Sequence, residues 1–108
     1  MTAMVSSMYL LVKRVTTDYM AKKCGLPAIA MAKAYNSKLG RECVSLAREM
    51  LGGNGIVLDY GIASKFCDME SIHTYEGTYD INALVCGRAI TGISAIKPPK
   101  KKKTRSKL

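Results

Sequence analysis

The chain has a single histidine, His73, and no two of its four cysteines lie closer than 19 residues apart. No CxxC pair occurs, so the spacings that build a structural zinc site are missing. Cys24, Cys43, Cys67 and Cys86 therefore read as buried thiols of a reducing compartment rather than a disulfide framework. Long apolar runs are also missing. Residues 1–12 carry no charge, but they are far too short to cross a bilayer. They also lack the basic start and small-residue cleavage signal of a secretory peptide. There is no internal repeat and no β-type alternation. Acids are scarce, eight against 17 basic residues, giving a formal charge of +9. That imbalance is local. Lys97, Lys100, Lys101, Lys102, Lys103, Arg105 and Lys107 crowd the last 12 residues without an acid, leaving ten basic residues against eight acids before them. A body so near neutrality gives no electrostatic case for a nucleic-acid-binding fold. The terminal arm keeps only the weak attraction for RNA or anionic membrane that any basic arm has.

What is present is helical periodicity. At 108 residues the chain is one small domain with a modest core, or a piece of something larger. Met4, Met8, Leu11, Val15 and Tyr19 recur at helical steps and draw one apolar stripe. Lys22 and Lys23 suit a helix C-terminus, and Gly25 with Pro27 should stop the helix. A second helix is expected from about residue 27 to 51, with Ala32, Tyr35, Leu39, Cys43, Leu46 and Met50 as its inner face. Joined by a short turn, the two should pack antiparallel. Gly52-Gly53-Asn54-Gly55 should end the second helix, forbid regular structure and leave the backbone open to close approach. A third helix is expected over 62–69. A fourth, marked by Ile81, Leu84 and Val85, should run to about residue 96, where Pro98-Pro99 ends it. The expected fold is an all-α, up-and-down bundle of about four helices over residues 1–96. Residues 97–108 should be a disordered basic tail.

The chemistry concentrates in Thr74-Tyr75-Glu76-Gly77-Thr78-Tyr79-Asp80-Ile81. Glu76 sits in a short loop just before an apolar helix, with Gly77 beside it and Thr78 and Asp80 close behind. An acid desolvated against an apolar helix becomes a competent proton acceptor, because burial raises its pKa toward the working range. The same residues also describe an ordinary helix start, with Thr78 or Asp80 as N-cap and Glu76 as a solvated loop acid. Leu51-Gly52-Gly53-Asn54-Gly55 is not a dinucleotide fingerprint: it follows a helix, not a strand, and lacks that glycine spacing.

Taken together, the strings Ala47-Arg48-Glu49-Met50-Leu51-Gly52-Gly53-Asn54-Gly55, Thr74-Tyr75-Glu76-Gly77-Thr78-Tyr79-Asp80-Ile81 and Gly87-Arg88 resemble the C-terminal helical domain of the acyl-CoA dehydrogenase and acyl-CoA oxidase flavoproteins. The resemblance covers residues 1–96 and is most specific over 47–88. The TYEGT-x-DI form of the loop is shared with glutaryl-CoA dehydrogenases and plant-type short-chain peroxisomal acyl-CoA oxidases. The resemblance implies FAD as cofactor, an acyl-CoA as substrate and assembly as a homo-oligomer, a dimer or tetramer. It makes Glu76 the catalytic base that removes the α-proton, and its backbone N–H one donor to the thioester oxygen. Gly77 and Arg88 then fall at substrate-contacting positions. Thr78, Tyr79 and Asp80 fall on the segment that meets the flavin. Glu49, Met50, Leu51, Gly52 and Gly53 fall on a loop that touches the FAD of a neighbouring subunit. Two positions depart from the pattern: Glu49 stands where many members have glutamine, and Tyr79 where related members have histidine or serine. The N-terminal helical and middle β-domains of such flavoproteins have no counterpart here, so the chain is expected to be a fragment or degenerate relative that binds FAD weakly or not at all by itself.

Ser106-Lys107-Leu108 matches a receptor-read peroxisomal address, presented on a basic arm. It points to a peroxisomal import receptor as partner and to an oxidase that passes electrons to oxygen. A dehydrogenase needs an electron-transfer partner that peroxisomes are not expected to hold. The alternatives are a glutaryl-like or short-chain acyl-CoA dehydrogenase of the mitochondrial matrix, and a non-catalytic helical module that dimerises through its bundle surface.

Overall fold

The structure is a computed structural model that describes residues 1–95. The expected tail, its terminal signal and the Pro98-Pro99 stop lie outside the described residues. Four α-helices are present: α1 (Thr2–Met20), α2 (Leu26–Met50), α3 (Ile62–Thr74) and α4 (Tyr79–Thr91). Two short 3₁₀ turns, Gly52–Ile56 and Leu58–Tyr60, join α2 to α3. The all-helical expectation holds.

Helix α2 is the hub, and α1, α3 and α4 each pack against it. Cross-links fix the directions. Asn36 Nδ2 donates to the Met8 carbonyl at 3.3 Å, so α1 runs back along α2. Arg41 pairs with Glu70 at 2.7 Å while Lys33 reaches the His73 carbonyl, so α3 is antiparallel to α2 as well. On α4, Cys86 Sγ donates to the Pro27 carbonyl while Lys38 lies over the Tyr79 ring, which again gives opposed directions. A helix approached from several sides must be thin. Its buried positions are accordingly Ala30, Ala32, Ala34, Ser37 and Gly40. At Gly40 a Cβ would stand 2.8 Å from Cε and 2.9 Å from Sδ of Met69, so the missing side chain admits α3.

Several local expectations change. The inner face of α2 is this small-residue set; Tyr35, Leu46 and Met50 are exposed. On α4 the buried residue is Asn82, while Ile81 and Leu84 are exposed. Three helix ends also move. Lys22, not Gly25, takes the left-handed φ of 56° that closes α1. The Lys23 N–H reaches the Asp18 carbonyl and the Lys22 N–H reaches the Tyr19 carbonyl, a Schellman closure. Gly25 instead stands at the N-cap of α2. Helix α3 runs on to Thr74, well past residue 69. Helix α4 stops at Thr91 because Gly92 adopts φ 74° and donates to the Arg88 carbonyl at 2.8 Å, ahead of the prolines. The cysteines are free thiols, but none is buried: Cys67 is exposed and the other three are half-buried. No described helix is long and apolar enough to cross a membrane.

The core is shallow. Its buried apolar members are three alanines, and large apolar side chains stay open, among them Ile90 at 86% exposure and Met50 at 75%. The glycine-rich stretch is also not irregular throughout, because Gly52–Ile56 winds into a 3₁₀ turn. Gly55 is buried in that turn, and a Cβ there would collide with the backbone carbonyl oxygen of Arg48. Gly53 has open space where its Cβ would sit. Gly55→Ala is therefore expected to lower stability by about 1–3 kcal/mol, since a backbone atom cannot yield as a side-chain tip can. Gly53→Ala should be nearly neutral. Urea denaturation of the two variants checks this, and equal midpoints would contradict it.

Candidate active-site loop

Helix α3 ends at Thr74, and α4 begins after Thr78. Only four residues, Tyr75, Glu76, Gly77 and the N-cap Thr78, join them. The chain turns that sharply by placing two successive residues in the left-handed region, Glu76 at φ 55° and Gly77 at φ 91°. Glycine takes such a φ freely, whereas glutamate does so at a cost of about 1–2 kcal/mol. A strained non-glycine residue persists only where its surroundings hold it.

Two side chains hold it, and both converge on the Gly77 carbonyl. Lys33, about two turns into α2, donates to that oxygen at 2.6 Å and to the His73 carbonyl at 3.1 Å. Its ammonium also lies 5.9 Å from the centre of the Tyr75 ring, within cation–π range. Asn82, 8% exposed on the first full turn of α4, donates to the Gly77 carbonyl at 2.8 Å and to the Thr78 carbonyl at 3.0 Å. The Asn82 amide lies so close that a Cβ on Gly77 would approach its Nδ2 to 2.9 Å. Thr78 is the N-cap, its Oγ1 accepting from the Ile81 N–H at 3.5 Å. Asp80 sits in the first turn, where a negative charge favours the helix dipole.

Neither holding residue figures in the sequence reading. Lys33 carried a visible signal: it shares the 3–4 residue spacing of Ala30, Ala34 and Ser37, so it is a cation on the inward face of a helix. Asn82 carried a weaker one, a polar residue at the position where a helix first meets its neighbours.

Glu76 itself is exposed, and among the described residues it has no hydrogen bond or ion pair from either its carboxylate or its backbone N–H. The expected desolvation of this acid is not provided by the described residues. A cavity of about 450 Å³ opens between α1, α2 and α3, lined by Val12, Val15, Ile29, Lys33, Asn36 and Met69 among others. A second, of about 590 Å³, lies between α2 and α4 and includes Lys38, Tyr79 and Gly87. Glu76 lines neither.

The remaining site candidates do not gather around the acid. Glu49, Met50, Leu51, Gly52 and Gly53 lie at the far end of α2. Lys33 marks the Glu76 end, and 16 residues of helix put Glu49 roughly 24 Å further along the axis. Glu49 to Gly53 are all exposed, and open space lies where a Cβ on Gly52 or Gly53 would project. Tyr79 is exposed at the start of α4 beneath the Lys38 ammonium, 5.6 Å from the ring centre. Arg88 is exposed in the last turn of α4, where its charge suits the helix terminus. No cluster of three or more His, Cys, Asp or Glu able to hold a metal occurs among the described residues.

Asn82→Ala removes the donor shared by two carbonyls of the turn. A loss of about 1–3 kcal/mol is expected, because the Gly77 and Thr78 carbonyls lose a half-buried partner. Thermal or urea unfolding measures it, and an unchanged midpoint would show that the turn holds without that amide.

Comparison with known proteins adds an independent line. Residues 1–91 match a family described as "Acyl-CoA dehydrogenase, C-terminal domain". A (2S)-methylsuccinyl-CoA dehydrogenase from Cereibacter sphaeroides is 32% identical over 69 residues, 64% of this chain and 12% of that protein. Among solved structures, glutaryl-CoA dehydrogenase from Mycobacterium smegmatis superposes with a TM-score of 0.78 at 29% identity, over 82% of this chain and 23% of the other. The chain thus spans about an eighth to a quarter of the length of these relatives.

Proposed function

Because the chain belongs to the acyl-CoA dehydrogenase C-terminal domain family, we propose that it supplies the base-bearing part of a FAD-dependent site that oxidises an acyl-CoA to its 2-enoyl-CoA. The observation that supports this most is Glu76. It is an unpaired carboxylate in a strained backbone conformation, and two side chains from other helices fix its turn. The relatives described above are named as CoA thioester dehydrogenases, which favours the same substrate class here.

The residues then divide the work. The Glu76 carboxylate takes the proton from the carbon next to the thioester carbonyl. The Glu76 backbone N–H, which no group among the described residues occupies, donates to the thioester oxygen as negative charge builds there. Gly77, lacking a side chain, leaves room for the acyl group, and Arg88 offers a cation to the CoA moiety. When bound, FAD accepts the hydride from the β-carbon. Residues 49–53 and Thr78, Tyr79 and Asp80 fit contact with such a group, since Gly52 and Gly53 expose open backbone and Thr78 and Tyr79 bring hydroxyls. They form an edge, not an enclosure. The two groups stand far apart along α2, so one copy of the chain contributes them to two different flavins in a homo-oligomer. Water must be excluded from Glu76 by surfaces beyond this chain, because an acid in bulk water is a poor base for a carbon acid.

A second reading concerns the electron acceptor. Ser106-Lys107-Leu108 favours a peroxisomal oxidase that returns electrons to oxygen. The relatives, both bacterial dehydrogenases by name, favour a dehydrogenase instead. Air reoxidation of a substrate-reduced flavin separates the two.

The catalytic test is a chimera in which residues 1–95 replace the matching segment of the Mycobacterium smegmatis glutaryl-CoA dehydrogenase. Glu76→Gln in that chimera should keep the flavin bound yet lower turnover at least about 100-fold, the scale of a general base. Turnover retained by the glutamine variant would remove Glu76 from the role.

A further inference from the structure

The inward lysine of α2 has a role that the loop sequence does not disclose. Lys33 is half-buried and makes no ion pair with a carboxylate among the described residues. A lysine withdrawn from water without a counter-ion needs other compensation. Here it comes from two backbone oxygens, His73 at 3.1 Å and Gly77 at 2.6 Å, and from the face of Tyr75. The His73 carbonyl belongs to the last turn of α3 and is one of the acceptors that a helix terminus leaves unpaired, where a cation is favoured. The Gly77 carbonyl lies immediately after Glu76. One ammonium therefore ties the end of a helix to the residue that follows the strained acid, and it spans the reversal on both sides of Glu76.

We infer that Lys33 is a positioning residue: its ammonium clamps the His73 and Gly77 carbonyls and thereby holds Glu76 in its left-handed conformation, aiming the carboxylate and the free N–H outward from the turn. The functional half of this inference rests on Glu76 being the base proposed above; the conformational half does not. Asn82 secures the same carbonyl from the α4 side. It leaves the α3 terminus untouched, so it cannot replace the lysine. Arginine can deliver donors to two oxygens from the same helix face, whereas methionine keeps the length and loses every donor.

NMR on the 108-residue chain tests the clamp directly. In the unmodified chain the Lys33 ammonium protons should exchange with water slowly enough to be observed, unlike those of the exposed Lys13. Glu76 should also show the strong intraresidue amide-to-Hα cross-peak of a positive φ. Lys33→Met should abolish that cross-peak and speed exchange of the Tyr75 amide, the last bonded N–H of α3, about tenfold while helical content by circular dichroism stays constant. Lys33→Arg should restore both signals in part. A Lys33 ammonium that exchanges as fast as that of Lys13 would overturn the clamp, and this measurement stands even if the methionine variant fails to fold. So would a methionine variant that folds and keeps the Glu76 signature. In the chimera, Lys33→Met should lower kcat about tenfold or more with little change in KM, as misplacement of a reacting group does; an unchanged kcat would overturn the positioning role. If Glu76→Gln proves fully active while the NMR signatures behave as stated, the base assignment fails and the clamp remains.

Discussion

The Gly77 carbonyl oxygen is the point on which the turn that carries Glu76 depends. It accepts from an ammonium on α2 at 2.6 Å and from an amide on α4 at 2.8 Å. The magnitudes show why both are present. A glutamate forced to positive φ costs about 1–2 kcal/mol. A hydrogen bond to a charged group contributes about 1.5–3 kcal/mol, and a neutral one about 1 kcal/mol. Either donor alone roughly balances the strain; the two together exceed it. The turn is thus fixed by one side chain distant in sequence, Lys33, and one from the helix that follows, Asn82. Glu76 is left with an unengaged carboxylate and an unengaged N–H on the same residue. The proposed proton acceptor and oxyanion donor would use that pairing.

Helix α2 makes this possible. Its inner positions are alanine, serine and glycine, so three helices can lie against it. Close approach brings Lys33 within reach of the α3 terminus and of the turn. The same economy leaves little apolar burial: no large side chain is fully enclosed, and residues such as Ile90 and Met50 face outward. Those open faces suit a domain that completes its surface against others. The exposed position of Glu76 fits the same view, since the acid would be dried by contacts made in an assembled protein. The relatives compared above are about four to eight times as long as the portions this chain matches.

The helical fold was legible in the sequence because periodicity reports it directly. On α1, Met4, Met8, Leu11 and Val15 of the expected stripe are half-buried, whereas Tyr19 is exposed. The placement of the inner face on α2 was not legible. A rule that seeks large apolar residues selects Tyr35, Leu46 and Met50, while a helix surrounded by neighbours buries its smallest ones. The end of α1 was misread for a related reason. Gly25 is the obvious left-handed residue, yet Lys22 occupies that conformation because the Schellman bonds to Asp18 and Tyr19 compensate it. The loop with Glu76 stood out as a motif, and the N-cap role of Thr78 was among its readings. The pairing of that loop with its partners was not legible: Lys33 shows as a cation on an inward helix face, but it lies 43 residues before Glu76, and no local rule joins a lysine to a carbonyl that tertiary packing brings near.

The most direct measurement of the central claim isolates proton removal from hydride transfer. A thioester analogue that cannot be oxidised, bound to the chimera in deuterium oxide, should exchange its α-hydrogens for deuterium when Glu76 is present. It should not do so when Glu76 is glutamine. Equal deuterium uptake by the two proteins would show that another group removes the α-proton, and the role given to Glu76 would be contradicted.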